Sequence, residues 1–325
     1  MSSPPNTTTI VYDITTWPNA LASAIMFMSA VLGIVFNFAI VYGFIKDLRQ
    51  KTAFNLICFF RAANNLMYLC VGNLGVYIPI TVMGSTPYPP MIETVLIIFA
   101  INLPIYNEFQ GIYIAINRAV AVFTTHYYRK LFKLKFVLAF HILYYLDRIR
   151  NVTFESIDRN AASKYLLFSS QYISYGGLQV TPDGMFKIAL ALIIFPFLIN
   201  AIIFAKLYYL KKDIQKKRVS GNLEHSQEAK QNMKLFIQTV LQDSLFSISV
   251  IFTLKLNTLV SHRFWTFFSV TYTSELVHVL DGFIMLMFNE RLSLLKNVLP
   301  NRKTPNETSA KQPSVKVMSI ADVAS

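Results

Sequence analysis

The chain has 325 residues, of which 54% are hydrophobic and only 14% are charged. This composition excludes an ordinary soluble domain and a disordered chain, and it predicts a protein that crosses a membrane several times. The net charge of +13 does not indicate nucleic-acid binding, because most of the 30 Lys and Arg lie in short clusters beside apolar runs. We interpret these clusters as facing the anionic inner leaflet of a lipid bilayer.

The Lys and Arg residues lie in alternate links between the apolar runs. The first 20 residues and the link Gly84–Ile92 contain none. The rich segments have three in Lys46–Asn55, four in Thr124–Lys135, seven in Lys211–Lys234 and six in the tail from Glu290. Because positive residues of short loops stay in the cytoplasm, the N-terminus is predicted to be outside and the C-terminus inside. This orientation requires an odd number of crossings.

Six apolar runs are long enough to cross a bilayer as helices, which takes about 20 residues. They are Leu21–Ile45, Phe54–Met83, Ile92–Phe123, Met185–Leu210, Leu235–Val260 and Phe264–Phe288. We therefore predict an all-α membrane protein, a bundle of seven transmembrane helices in which one span is weak.

The weak span is the fourth, which must lie between Lys135 and Met185 to satisfy the orientation. The run Phe136–Leu146 is too short by itself and is followed by charged residues. It either continues through these charges or is replaced by a second attempt at Tyr165–Tyr175, and we favour the first arrangement. In that arrangement Arg148 and Arg150 reach the outer headgroups, with Asp147 as counter-charge. A third interpretation is that this segment departs from a functional parent sequence.

The chain divides into four parts along its length. Residues 1–20 form an outer tail with a glycosylation acceptor at Asn6, and residues 21–288 form the seven-helix domain. Residues 289–299 form a short amphipathic eighth helix on the membrane surface, since leucines recur on one face. Residues 300–325 form a disordered cytoplasmic tail. The cysteines Cys58 and Cys70 lie in one predicted helix, about 18 Å apart, which is too far for a disulfide.

Several polar residues fall at one depth, about 10–12 Å from the cytoplasmic ends of their helices. This predicted buried network consists of Asn37, Arg61, Asn64, Asn65, Asp243 and Asp281. Ionisable groups at membrane depth are costly and therefore usually face a protein interior, where Asp281 or Asp243 is the expected partner of Arg61. The network either rearranges when the bundle changes state or fastens the helices statically.

Two carboxylates lie nearer the outer side. Glu108 and Glu275 are at about 21–22 Å above the inner ends, and His278 is one helical turn below Glu275. These three residues are the candidate contacts of a small-molecule ligand in a cavity of the outer half. The alternative is that the carboxylates pair with Lys187 or Lys255 near the outer surface.

The inner end of the third span carries the pair Asn117 and Arg118, followed by small apolar residues and tyrosines. This segment resembles the Asp/Glu-Arg-Tyr region of rhodopsin-like seven-helix receptors, and it is closer to the Asn-Arg form found in nematode serpentine chemoreceptors. Further matching segments are Leu32–Asn37, Phe54–Asn65, His278–Phe283 and Phe288–Arg291. The chain resembles class X of these receptors over residues 21–136 and 184–299.

The resemblance implies a chemosensory receptor in the plasma membrane of a sensory cilium, which couples a small-molecule ligand to a heterotrimeric G protein. Arg118 would contact the G protein or lock the resting state. The chain departs from rhodopsin-like receptors at two points. Asn117 cannot give Arg118 the ion pair that an acidic residue would provide, and the cysteines cannot clamp the third span to the second outer loop.

Two other functional classes were weighed against a receptor. Asp243 and Asp281 lie on successive spans, as do the catalytic carboxylates of intramembrane aspartyl proteases, but the motifs around those carboxylates are missing. The sequence also lacks zinc-protease, serine-hydrolase and phosphate-loop motifs, so we predict neither an enzyme nor a cofactor. A transporter or channel would use the buried charges as a permeation path and is the main alternative function.

Overall fold

The computed structural model describes residues 17–47, 52–171, 173–176, 182–217, 224–260 and 262–289. The predicted glycosylation site Asn6, the surface helix beyond Asn289 and the C-terminal tail lie outside these residues. The described residues lie almost entirely in the predicted seven-helix domain.

The described residues contain seven long helices and one small β-hairpin. The helices are α1 (Trp17–Lys46), α2 (Ala53–Met83), α3 (Pro90–Phe123), α4 (Leu134–Ala161), α5 (Pro182–Lys217), α6 (Glu224–Leu254) and α7 (263–288). Short helices at Thr125–Leu131 and Leu256–Leu259 connect α3 to α4 and α6 to α7. The hairpin pairs β1 (Leu167–Ser169) with β2 (Ser174–Gly176) in antiparallel register.

The predicted fold class, an all-α membrane protein, is confirmed. Five of the described helices are long and apolar enough to cross a membrane, namely α1, α2, α3 and the stretches Leu190–Tyr209 of α5 and Met233–Leu259 of α6 with its extension. The helices α4 and α7 complete the bundle. The α7 helix begins and ends within a residue of the predicted seventh span.

The fourth helix follows the arrangement that the sequence favoured. α4 runs without a break through the charged residues after Leu146. Asp147 accepts hydrogen bonds from Arg148 at 2.7 Å and from Arg150 at 2.6 Å, so the charges compensate one another locally. The competing segment Tyr165–Tyr175 contributes to the hairpin instead. Its residues pair as short antiparallel strands and do not form a helix that could cross a bilayer.

The helices close into a ring around α3. α1 packs against α2 and α7, α6 packs against α5 and α7, and α3 contacts α2, α4, α5 and α6. The approach of α1 to its neighbours depends on Gly33, where an added Cβ would lie 2.7 Å from Leu69 and 2.8 Å from Val279. Close packing through small residues is how helices associate without a hydrophobic driving force in lipid.

Two of the helices contain π-helical segments, at Tyr68–Tyr77 of α2 and Phe267–Tyr272 of α7. In α2 the irregularity precedes Pro79, which has no N–H to donate to the carbonyl of Gly75. The hydroxyl of Tyr88 donates to that carbonyl instead, at 2.5 Å. α2 then ends at Gly84, whose left-handed φ of 72° suits a glycine at this position.

The β-hairpin closes one end of the bundle, which we call the hairpin end. It is the end at which α1, α3 and α7 begin. Leu166, Phe168 and Ile173 are buried in the same apolar cluster as residues of α1, α2 and α3. The ring of Phe168 stacks on that of Tyr77 with centroids 4.9 Å apart. The hairpin therefore fills the interior at this end.

Hydrogen bonds, and no disulfide, attach the hairpin segment to the helices. The carboxylate of Glu93 accepts from the backbone N–H of Phe168 at 2.7 Å, and Thr94 bonds both backbone groups of Leu166. Ser170 donates to the carbonyl of Gly84 at 2.8 Å. Both cysteines are free, so these polar contacts hold the loop that rhodopsin-like receptors clamp covalently.

We expect Glu93→Ala to destabilise the receptor, since the buried N–H of Phe168 would lose its acceptor. An unsatisfied buried donor costs about 1–3 kcal/mol, and the melting temperature of the detergent-solubilised protein should fall by several degrees. The matched control is Glu155→Ala, which removes an exposed pair with Arg159 on α4 and should change the melting temperature little. Equal effects of the two variants would contradict the role of Glu93.

Candidate functional site

The centre of the bundle holds a buried ion pair between α2 and α7. The Nε of Arg61 donates to both carboxylate oxygens of Asp281, at 3.0 and 2.8 Å. Each side chain is only 1% exposed. Of the two partners that the sequence offered for Arg61, the structure selects Asp281. The pair is electrically neutral, which makes its burial among apolar helices tolerable.

Four amide and imidazole side chains extend this pair into a network across the bundle. Asn65 donates to Asp281 at 2.8 Å and to the Oδ1 of Asn37 at 3.0 Å, which links α2 to both α7 and α1. Asn107 of α3 donates to the Oδ1 of Asn65 at 2.7 Å. The same oxygen lies 2.7 Å from the Nδ1 of His278. Five of the six residues of the predicted polar layer therefore belong to one connected network, namely Asn37, Arg61, Asn64, Asn65 and Asp281.

The helical period explains why α2 contributes three members. Arg61, Asn64 and Asn65 are spaced i, i+3, i+4 and share the face that points to the bundle interior. Asn64 donates to Asn107 at 2.7 Å and to the carbonyl of Leu103 at 2.7 Å, so α2 and α3 are joined twice. All of these side chains are fully buried.

The sequence prediction missed three members of the polar interior, which are Asn107, Gln242 and Asn200. Gln242 donates to Asp281 at 2.7 Å and so connects α6 to the network. The sequence could have indicated Gln242, because this glutamine lies next to Asp243 within an apolar run. Asparagine and glutamine inside a membrane span indicate an interior position as much as a charge does.

Asp243 lies apart from the hydrogen-bonded network to which the sequence assigned it. Its carboxylate accepts from the amide of Asn200 at 2.8 Å, which joins α6 to α5. The two aspartates of the successive spans therefore have different partners, because Asp281 is engaged by Arg61. They do not form the facing pair of carboxylates that an aspartyl protease needs to share a proton.

Arg118 lies near the end of α3 opposite the hairpin. It is 6% exposed, and its guanidinium lies 4.0 Å from the ring centroid of Phe54 on α2. Its Nε and Nη2 have no hydrogen-bond partner, and no carboxylate pairs with it among the described ion pairs. Asn117 beside it is also buried. A cation–π contact, worth about 2 kcal/mol when desolvated, replaces the ion pair at this position.

Glu108 lines a small cavity between α3, α5 and α6. The space is about 20 Å³, enough for a single water or ion, and its other polar lining groups include Asn107, Asp243 and Ser247. Pro196 and Phe246 form part of its apolar wall. Of the three predicted ligand contacts, Glu108 therefore lines a cavity with Asp243, and no residue of α1 is among the lining residues of that cavity.

Glu275 and His278 face the opposite side of the bundle from Glu108. Glu275 is fully buried and accepts a hydrogen bond from Ser29 of α1 at 2.6 Å. The ring of His278 lies 4.1 Å from that of Tyr68 and belongs to the polar network. The three predicted ligand contacts therefore do not line one cavity among the described residues, because Glu108 faces the cavity between α3, α5 and α6 whereas Glu275 bonds Ser29 of α1.

A closed ring of seven helices around α3, with a buried polar layer, defines a seven-helix membrane receptor. A family model described as serpentine type 7TM GPCR chemoreceptor Srx matches residues 27–289. The chain belongs to this family of chemoreceptors, as the resemblance of its spans predicted. The family is one of receptors and not of enzymes. A search of curated proteins found no match.

A double-mutant cycle should reveal strong coupling between Arg61 and Asp281. Each of Arg61→Met and Asp281→Asn leaves one buried charge without its partner, at a cost of about 3 kcal/mol, whereas the double variant leaves none. We expect the double variant to be more thermostable in detergent than either single variant. The control cycle on the exposed pair Arg159 and Glu155 should give a coupling of about 0.5 kcal/mol or less. Additive losses at Arg61 and Asp281 would contradict the pairing.

Proposed function

We propose that this chemoreceptor binds a small-molecule ligand in the half of the bundle near the hairpin and activates a heterotrimeric G protein at the other end. Membership of the receptor family supports both steps. The single observation that carries the proposal is Arg118, a buried arginine without a carboxylate partner at the end of α3.

The position of Arg118 suits a switch at the end opposite the hairpin. In this structure its guanidinium stacks on Phe54 of α2, next to the buried thiol of Cys58. A shift of α2 against α3 at this end would release Arg118 from that contact, because Phe54 belongs to α2. The G protein would then contact Arg118 and Asn117 together with the basic links Thr124–Lys135 and Lys211–Lys234.

The ligand contacts that we propose are Glu108, Glu275 and His278, reached from two sides of the bundle. Glu275 bonds Ser29 of α1, Glu108 lines the cavity between α3, α5 and α6, and His278 connects α7 to the polar network through Asn65. A ligand shifts the equilibrium only by its difference in affinity for the two states. A contact with His278 or Glu275 would change the geometry of α7, and the pair of Asp281 with Arg61 would transmit that change to α2.

We expect Arg118→Ala to abolish ligand-dependent G-protein activation while the amount of receptor at the cell surface stays unchanged. The cation–π contact with Phe54 is one interaction among many, so its loss should not unfold the bundle. The measurement is second-messenger output in cells that express the receptor with a promiscuous G protein. Arg159→Ala, near the far end of α4, is the matched control and should signal normally.

Full signalling by Arg118→Ala would remove this mechanism. A transporter or channel would instead move solute without any partner. Purified receptor in liposomes should therefore show no solute flux above that of empty liposomes, and flux in the absence of a G protein would favour the alternative function.

We further propose that the N-terminus lies outside the plasma membrane, at a sensory cilium, and that the C-terminus is cytoplasmic. The distribution of Lys and Arg supports this orientation. Thr8→Ala should lose one glycan relative to the wild type, because that change destroys the acceptor at Asn6. Glu224→Ser completes an acceptor at Asn222 and should add no glycan, as seen by gel mobility after glycosidase treatment. A glycan on that variant beyond those of the wild type would contradict the orientation.

A further inference from the structure

A groove of about 550 Å³ lies between α1 and α7 in the half of the bundle near the hairpin. Its walls are apolar, and the polar groups that line it are a serine and a tyrosine. The lining residues are Ile25, Met28, Ser29 and Leu32 of α1, and Phe264, Phe267, Phe268 and Tyr272 of α7. The volume lies within the range of about 300–1,000 Å³ that is typical of small-molecule sites.

Ser29, which lines this groove, is hydrogen-bonded to the buried carboxylate of Glu275. The hydroxyl of Ser29 lies 2.6 Å from the Oε1 of Glu275, which is fully buried behind it. The other polar neighbour of Glu275 is the amide of Asn73 on α2. Ser29 thus lies between the groove and a carboxylate that faces the interior of the bundle.

Glu275 forms no ion pair among the described residues. Its Oε2 is buried and without a hydrogen bond that meets normal geometry. A carboxylate inside a bilayer is costly unless it is paired, and an unpaired one is by default a functional group. A cation that entered past Ser29 would give this carboxyl group the charged partner that it lacks.

The groove opens toward the bilayer, on the outer surface of the bundle between α1 and α7. Met28 and Leu32 are 61% and 54% exposed on the outer surface of α1. At the hairpin end, Leu166, Phe168 and Ile173 are packed into the same apolar core as Phe267 of α7. A ligand reaches Glu275 more directly from the lipid, between α1 and α7.

The local backbone of α7 favours an open groove. The lining residues Phe267, Phe268 and Tyr272 belong to the π-helical segment Phe267–Tyr272. A π-helical segment is wider than the α-helix and shifts the side chains that follow it, and such segments are frequent at functional sites. The segment ends three residues before Glu275, and so sets the direction in which that carboxylate points.

We propose that this groove binds a lipophilic amine, which enters laterally from the bilayer between α1 and α7. The apolar chain lies against the phenylalanines of α7 and the aliphatic residues of α1. The ammonium group donates to Glu275 and Ser29 and supplies the missing positive charge. That such binding produces a signal rests on the proposed receptor function, but the binding itself does not.

The experiment uses a twelve-carbon alkylamine that carries a photoreactive diazirine and an alkyne, incubated with membranes that contain the full-length receptor. A twelve-carbon alcohol with the same two groups is the neutral comparison. Cross-linked peptides are identified by mass spectrometry. We expect the amine to label peptides of α1 and α7, saturably, and to be displaced by unlabelled dodecylamine.

Two variants test the site independently of each other. Glu275→Gln removes the charge but keeps the shape, and should weaken labelling by the amine at least about tenfold, since a hydrogen bond to a charged group contributes about 1.5–3 kcal/mol. Leu32→Trp fills the groove without touching Glu275 and should abolish labelling. The matched controls are Val31→Trp, which faces lipid beside the groove, and Glu155→Gln on α4, and both should label as the wild type does.

Three results would overturn the proposal. Equal labelling by the amine and the alcohol, in the wild type and in Glu275→Gln, would mean that the groove takes any single-chain lipid and does not recognise the ammonium group. Loss of labelling in Glu108→Gln but not in Glu275→Gln would place the amine between α3, α5 and α6. Labelling that persists in Leu32→Trp would place it outside the groove. Because labelling needs no G protein, a receptor that binds but does not signal would refute the proposed function and leave this site intact.

Discussion

The ion pair of Arg61 with Asp281 is the interaction on which the rest of the interior depends. A guanidinium and a carboxylate can be buried in an apolar bundle because they neutralise each other. Both oxygens of Asp281 accept hydrogen bonds, whereas Nη1 and Nη2 of Arg61 have no hydrogen-bond partner among the described residues. Asn65 and Gln242 bind the two oxygens of Asp281, and Asn37 and Asn107 bind Asn65 in turn. The requirement to satisfy one pair therefore fixes the relative position of α1, α2, α3, α6 and α7.

The two ends of the bundle differ because of how each is closed. At the hairpin end, buried backbone groups of the hairpin are satisfied by Glu93 and Thr94, and its aromatic and aliphatic side chains complete the core. At the other end, Arg118 has only the face of Phe54 as a partner. Apolar clusters pack the helices at this end, but Arg118 itself is held by a cation–π contact and not by an ion pair, so it can change partner at small cost. This asymmetry agrees with ligand recognition near the hairpin and coupling at the opposite end.

The candidate ligand residues illustrate the limit of reasoning from depth alone. Glu108 and Glu275 were placed at one level by counting residues, but Glu108 lines a cavity with Asp243 whereas Glu275 bonds Ser29 of α1. Depth does not fix the direction in which a side chain points around the helix axis. The π-helical segment of α7 rotates the residues that follow it, so that Glu275 faces Ser29 of α1 and not the cavity beside Glu108. Counting along an ideal helix cannot include such a rotation.

The sequence by itself determined the membrane class, the approximate positions of six of the seven long helices, the family, and the depth of the polar layer. These follow from local properties, which are the length of apolar runs, the helical spacing of Arg61, Asn64 and Asn65, and the Asn117–Arg118 motif. Only the tertiary structure decided that Arg61 pairs with Asp281, that Asp243 turns to Asn200, and that Tyr165–Tyr175 closes the bundle as a hairpin segment. Those outcomes depend on which faces of distant helices meet, and that is set by packing around α3 and by satisfying buried polar groups, neither of which any single segment encodes.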